Sequence, residues 1–156
     1  MVDQIPLLPS PLTLQSESDM IDFGRQLAQK IQPPTLIELV GDVGAGKTTI
    51  TRGLALGLGI TEPVTSPSFT ISKQYPFPGG TLVHYDFYRL HSPGLMQDNL
   101  LESIEDPTTI TVVEWADSVA EILPTRRHCL KISLNDDNSR TITEISSAPF
   151  QQDFSK

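Results

Sequence analysis

Gly41-Asp42-Val43-Gly44-Ala45-Gly46-Lys47-Thr48-Thr49 sets glycine, lysine and hydroxyl at the spacing Gly-x-x-x-x-Gly-Lys-Thr, the phosphate-loop motif. Such a loop turns successive backbone N–H groups inward around phosphate oxygens, which calls for residues without bulk at Gly44 and Gly46. The backbone at Val43, Gly44, Ala45, Gly46, Lys47, Thr48 and Thr49 is therefore expected to bind phosphates. Lys47 is expected to bridge the outer phosphates and the Thr48 hydroxyl to ligate Mg²⁺, with the dipole of a following helix adding to the attraction. Hydrolysis further needs an acid at the end of a neighbouring strand. Two positions qualify: Asp86, closing Leu82-Val83-His84-Tyr85, and Glu114, closing Ile110-Thr111-Val112-Val113. Either alone is as readily an acid solvated at a strand end; beside a phosphate loop the functional reading gains. No lysine is followed two places on by Asp, as a guanine-specific Asn-Lys-x-Asp box requires, so adenine is the expected base. Trp115, the one tryptophan, packs near the nucleotide or anchors the core, with equal weight on each.

The elements that must position these residues are legible from spacing. Ser18-Asp19 is expected to cap a helix in which Ile21, Phe23, Leu27, Ala28 and Ile31 recur up to Pro33-Pro34. Leu36 to Val40 is a short apolar strand that runs into the phosphate loop. A second helix carries Ile50, Leu54 and Leu58 and stops at Gly57 to Gly59. Val64 to Thr70 is a loop becoming a strand that includes Phe69, Ile71 and Tyr75. After a turn at Pro76 to Gly80, Thr81 to Tyr85 returns antiparallel. A short helix is expected from Leu95 to Ile104 and a helical turn near Ser118 to Leu123. Cys129 to Leu134 and Arg140 to Ile145 read as a terminal hairpin around Asn135 to Asn138.

The chain of 156 residues reads as one domain, 1–156, with an extended arm over 1–12 and a frayed tail over 147–156. A net charge of -8 is the opposite of a footprint for phosphate backbones, which argues against direct nucleic-acid binding. Arg126-Arg127-His128 with Lys131 is the one basic cluster and reads as a solvated strand entrance. A single cysteine, Cys129, excludes an internal disulfide and multi-cysteine zinc patterns. No signal peptide is visible and no apolar run reaches the roughly 20 residues needed to cross a membrane, so a cytoplasmic setting is expected.

The phosphate loop, Thr65-Ser66-Pro67-Ser68-Phe69-Thr70, Asp86-Phe87-Tyr88-Arg89-Leu90 and Val113-Glu114-Trp115 occur in an order and spacing that resembles the TsaE (formerly YjeE) family. That family comprises bacterial ATPases of tRNA threonylcarbamoyladenosine synthesis, and the likeness spans about residues 12–146. The resemblance implies an α/β fold, a P-loop NTPase-like three-layer sandwich with a mixed, mostly parallel central sheet. It also implies weak Mg-dependent ATPase activity beside TsaB and TsaD, which attach threonylcarbamoyl to adenosine 37 of tRNA, with tRNA contacted mainly through those partners. Carried over, Lys47 and the backbone from Val43 to Thr48 hold the phosphates of ATP, Thr48 and Glu114 hold Mg²⁺, and Asp86 is the Walker-B-like acid. Ser66 to Ser68 resembles the first switch loop and Asp86 to Leu90 the second. Adenine would lie near Ser16-Glu17 and Ser139-Arg140. The catalytic set is thus Lys47, Asp86 and Glu114, with no obvious arginine in cis, so the isolated chain is expected to be slow. A small-molecule P-loop kinase is the rival enzyme, although no arginine-rich lid is visible. An ATP-dependent interaction module that does not hydrolyse is the rival from another class.

Overall fold

Leu36, Ile37, Leu39 and Val40 supply a nearly unbroken apolar run, as a strand buried on both faces requires, and β2 (Thr35–Val40) forms there at the middle of the sheet. The computed structural model describes residues 6–8, 10–67, 70–88 and 94–145. The expectations for 1–5, Ser68, Phe69, Arg89, Leu90 and the tail 147–156 lie outside those residues.

Helix α1 (Glu17–Ala28) starts two residues earlier than expected. Ser16, in extended geometry, accepts from Asp19 N–H through its hydroxyl at 3.1 Å, and the Asp19 carboxylate accepts from Gln15 N–H at 3.1 Å. This reciprocal cap leaves Ser18 inside the first turn. Helix α2 (Lys47–Leu58) ends at Gly59, whose φ of 91° suits glycine, as expected. The two helices pack closely because Gly24, Gly53 and Gly57 are small: a Cβ on Gly24 would lie 2.6 Å from Leu54 N, and one on Gly57 2.8 Å from Arg25 O.

The remaining elements are β1 (Leu12–Leu14), β3 (Ser72–Phe77), β4 (Gly80–Asp86), α3 (Leu95–Glu105), β5 (Thr109–Glu114), a 3-10 helix (Ala116–Ile122), β6 (His128–Leu134) and β7 (Arg140–Ile145). The sheet runs β1-β7-β6-β2-β5-β4-β3. Its four inner strands β6, β2, β5 and β4 are parallel, while β1–β7, β6–β7 and β4–β3 are antiparallel. The sheet is therefore mixed: its pairings divide evenly, while β1, β6, β2, β5 and β4 all run in one sense and β7 and β3 in the other. Both hairpins turn within a few residues, which forces antiparallel pairing. Strand β1 is a correction, since the end of the segment read as an arm reaches the sheet edge at Leu12 and pairs there with Ile142.

Period-two alternation divides the core. Ile37, Leu39, Leu82, Ile110 and Val112 face α1 and α2 beside Met20, Leu27, Ile50 and Leu54. Leu36, Val83, Tyr85 and Val113 face α3 and the 3-10 helix beside Leu100 and Val119. The parallel register brings Leu39, Asp86 and Glu114 to the same level, so the carboxyl ends of β2, β4 and β5 share one edge. In open α/β sheets ligands bind at such an edge.

Half of the basic cluster is not solvated: Arg126 and Lys131 are exposed as expected, but the other two residues are not. Arg127 and His128 are buried. Arg127 Nε donates to Glu38 Oε1 at 2.9 Å and Nη1 to Pro124 O at 2.7 Å, while His128 Nδ1 donates to Glu144 Oε2 at 2.8 Å. Glu144 Oε1 also accepts from Leu8 N–H at 2.7 Å, tying down the start of the described chain.

Cys129 lies beside this pair, and burial first, then the Glu38 carboxylate, pushes its thiol from an ordinary 9.0 up to about 12. The folded protein therefore holds the thiol proton more tightly than the unfolded chain does. Its contribution to stability is complete below pH 9 and is lost as pH rises from there toward 12. Urea unfolding of the parent and of Cys129→Ala is expected to show a stability difference that drifts against the parent across that window. A difference independent of pH would contradict the burial argument.

Candidate functional site

Strand β2 delivers the chain into the loop Gly41 to Gly46, and α2 begins at Lys47. Gly44 sits at φ +84° with open space where a Cβ would stand, so its glycine is required by backbone conformation and not by crowding. Gly46 sits at φ +114°, and a Cβ there would come 2.5 Å from the Met20 methyl group. The Lys47 Nζ donates to Gly41 O and, at 3.1 Å, to Asp42 O, and it lies 4.2 Å from the Trp115 ring centroid. Burial draws its pKa below the ordinary lysine value, opposed by the charges of Glu114, Asp86 and Asp42. A desolvated cation that faces two carboxylates is poised to take phosphate oxygens as partners.

Asp86 and Glu114 are paired neighbours on β4 and β5, both buried, and both line a cleft of about 380 Å³. Their even-numbered positions share the sheet face of Leu82 and Val112, the side on which α2 lies. Ser66 Oγ donates to Asp86 Oδ2 at 3.2 Å and Tyr88 N–H to Asp86 Oδ1 at 2.9 Å. His84 Nε2 donates to Glu114 Oε2 at 2.6 Å. Of the residues expected from sequence, Val43, Gly44, Gly46, Lys47, Thr48, Thr49, Asp86 and Glu114 all line the cleft. Ala45 does not. Its side chain is buried in the core and its N–H donates to Asp42 O at 3.0 Å.

Among the described residues no group of three or more His, Cys, Asp or Glu side chains is gathered tightly enough to hold a metal unaided. One hydroxyl and two carboxylates are nevertheless the hard oxygen donors that suit Mg²⁺, which is usually completed by water and substrate phosphates. Thr48, Glu114 and Asp86 are the residues here that could hold it.

Three features of the site escaped the sequence reading, and a fourth gives Arg140, expected only near the adenine, a contact with the loop. His84 is fully buried, and its Nδ1 has no hydrogen-bond partner among the described residues. Its position two residues before Asp86 was the available signal, since period two puts both on one face. Trp115 adopts φ 55°, a left-handed conformation unusual for a large side chain, and Ile71 does so at φ 69°. The two bracket the acids: Ile71 O accepts from Asp86 N–H at 2.8 Å, and Trp115 follows Glu114. Such conformations concentrate at functional sites. The Tyr88 ring packs on Trp115 at 4.8 Å between centroids. Finally, Arg140 reaches the loop from β7, donating from Nε to Ala45 O at 3.2 Å. A second cavity, of about 510 Å³, lies across Trp115, lined by Glu38, Asp117 and Lys131 among others. Gly41, Asp42, Val43 and Ala45 of the loop border it too, but Gly44, Gly46, Lys47, Thr48, Asp86 and Glu114 line the smaller cleft instead, and Glu38 is committed to Arg127.

Residues 14–142 match the family profile described as threonylcarbamoyl adenosine biosynthesis protein TsaE. The chain is 45% identical over 118 residues to the tRNA threonylcarbamoyladenosine biosynthesis protein TsaE of Streptomyces coelicolor, covering 72% of this chain and 78% of that one. It is 31% identical over 129 residues to the protein of the same name from Haemophilus influenzae, covering 80% and 82%. The fold superimposes on the crystal structure of YdiB from Bacillus subtilis with a TM-score of 0.74 at 30% identity, covering 93% of this chain and 90% of that one.

Proposed function

The chain belongs to the TsaE family of tRNA threonylcarbamoyladenosine biosynthesis, and on that premise we propose that it is a weak Mg-dependent ATPase whose nucleotide cycle drives turnover of the modification complex. The reading takes the chain as one P-loop NTPase-like domain, a three-layer sandwich, acting in the cytoplasm. The observation that supports it best is the convergence of Lys47, Asp86 and Glu114 on one cleft at the end of the parallel strands, beside a loop of amides.

In this reading the amides of Val43, Gly44 and Gly46 to Thr49 bind the phosphates of ATP, the Ala45 amide being held by Asp42 O, and Lys47 leaves the carbonyls of Gly41 and Asp42 to neutralise the outer ones. Thr48 and Glu114 would hold Mg²⁺, which offsets phosphate charge when bound. His84 occupies Glu114 Oε2 and leaves the other oxygen for a cation. Asp86 orients the attacking water or the metal's water. Because Asp86 accepts from both Ser66 and Tyr88, one carboxylate joins the two loops that would sense the outer phosphate.

The partners in this reading are proteins of the TsaB and TsaD type, with tRNA held mainly by them, since a chain of charge -8 repels a polyanion. Reconstituting tRNA modification from TsaB, TsaD, tRNA, ATP and the threonylcarbamoyl donor, with and without this chain, tests it. Sustained turnover is expected only when the chain and hydrolysable ATP are both present. Equal turnover without the chain would overturn the reading, and ADP formation that required an added metabolite would favour a kinase.

A further inference from the structure

We propose that Arg140 is a positioning residue for the phosphate loop: from the start of β7 it grips the outer side of the loop and so keeps the Gly46 amide turned into the cleft. This rests on the nucleotide-binding reading above and gives Arg140, expected only as a neighbour of the adenine, a role in shaping the loop that none of the expected phosphate or metal ligands has.

Arg140 lies 95 residues from Ala45 and 96 from Gly44, yet its Nε donates to Ala45 O at 3.2 Å and its Nη2 to Gly44 O at 3.3 Å. Its Nη1 donates to Asn138 O at 2.8 Å, which fixes the guanidinium to its own hairpin turn. Among the described residues all of the guanidinium's hydrogen bonds go to main-chain carbonyls, so the fork is committed to shaping backbone.

A trans peptide is planar, with its carbonyl and its N–H pointing in opposite directions. The Gly44 carbonyl shares a plane with the Ala45 N–H, which is satisfied by Asp42 O at 3.0 Å. The Ala45 carbonyl shares a plane with the Gly46 N–H, and Gly46 lines the cleft. Holding Ala45 O on the outer side therefore aims the Gly46 N–H inward. Glycine at φ +84° on one side and at φ +114° on the other leaves this stretch freer than most to turn over, which would present a carbonyl oxygen to an anion. The guanidinium opposes that rotation and polarises the peptides it binds, strengthening their amides as donors. A lysine cannot span both carbonyls with a rigid fork.

Arg140→Ala and Arg140→Lys, compared with the parent, test the assignment through ADP affinity and through backbone amide NMR of the protein without nucleotide. In Arg140→Ala, ADP affinity is expected to fall about tenfold, the effect of losing one hydrogen bond to a charged group. The Gly44, Ala45 and Gly46 amide resonances should shift and their order parameters drop before any nucleotide is added. Arg140→Lys should recover part of the affinity. ADP affinity within twofold of the parent would overturn the inference. So would weakened binding with unmoved loop amides, since that pattern belongs to an arginine touching the nucleotide directly. If the parent itself fails to bind ADP, the nucleotide reading falls first.

Discussion

Replacing Lys47 with Ala is expected to lower Mg-ATP turnover by roughly a hundredfold or more, the range seen when a preorganised charge-stabilising donor is removed from an active site. The same change should leave the thermal midpoint unchanged or raise it, because burial is the main influence on the Lys47 ammonium and draws its pKa down. In the unliganded protein that cation rests on the carbonyls of Gly41 and Asp42 and on the face of Trp115, with little water around it. Truncation removes the desolvated charge and with it the group that would meet the phosphates. Phosphate release assays and calorimetry on the same preparations separate the two effects. Tryptophan emission adds a third readout, since Trp115 is the one tryptophan and loses its cation. Turnover within threefold of the parent would remove Lys47 from the phosphate site.

Glu114→Gln is expected to shift the Mg²⁺ dependence of turnover upward by about tenfold or more and to slow turnover to a similar degree, while metal-free ATP binding changes little. Glutamine is the informative substitution because its side-chain oxygen can still accept from His84 Nε2, the 2.6 Å contact that fixes the carboxylate. Alanine would leave both ring nitrogens of a fully buried histidine without partners, at a cost of about 1–3 kcal/mol, and would confuse stability with activity. The assay is turnover against Mg²⁺ concentration, with unfolding measured in parallel. An unaltered Mg²⁺ profile together with unaltered turnover would take Glu114 out of the metal site and leave it as a strand-end acid.

Spacing along the chain was enough to place the glycine-rich loop between β2 and α2, the two acids at strand ends, the hairpins and the core-facing residues of the inner strands. Each is carried by contacts between near neighbours: glycine at positive φ, period-two alternation, and a strand passing into a helix within ten residues. It misjudged what depends on partners distant in the chain. Arg127 and His128 looked like a solvated charge run because nothing local announces that Glu38 and Glu144 will bury them. The edge pairing of β1 needs β7, more than a hundred residues later, so Leu12 reads as the end of an arm in isolation. His84 becomes part of the site only because β4 and β5 lie in a register that sets Asp86 opposite Glu114. Arg140 becomes part of the phosphate loop only because the terminal hairpin folds back beside β2. Local sterics and periodicity travel with the sequence, whereas the partner of a buried charge is chosen by strand order, which exists only in the folded chain.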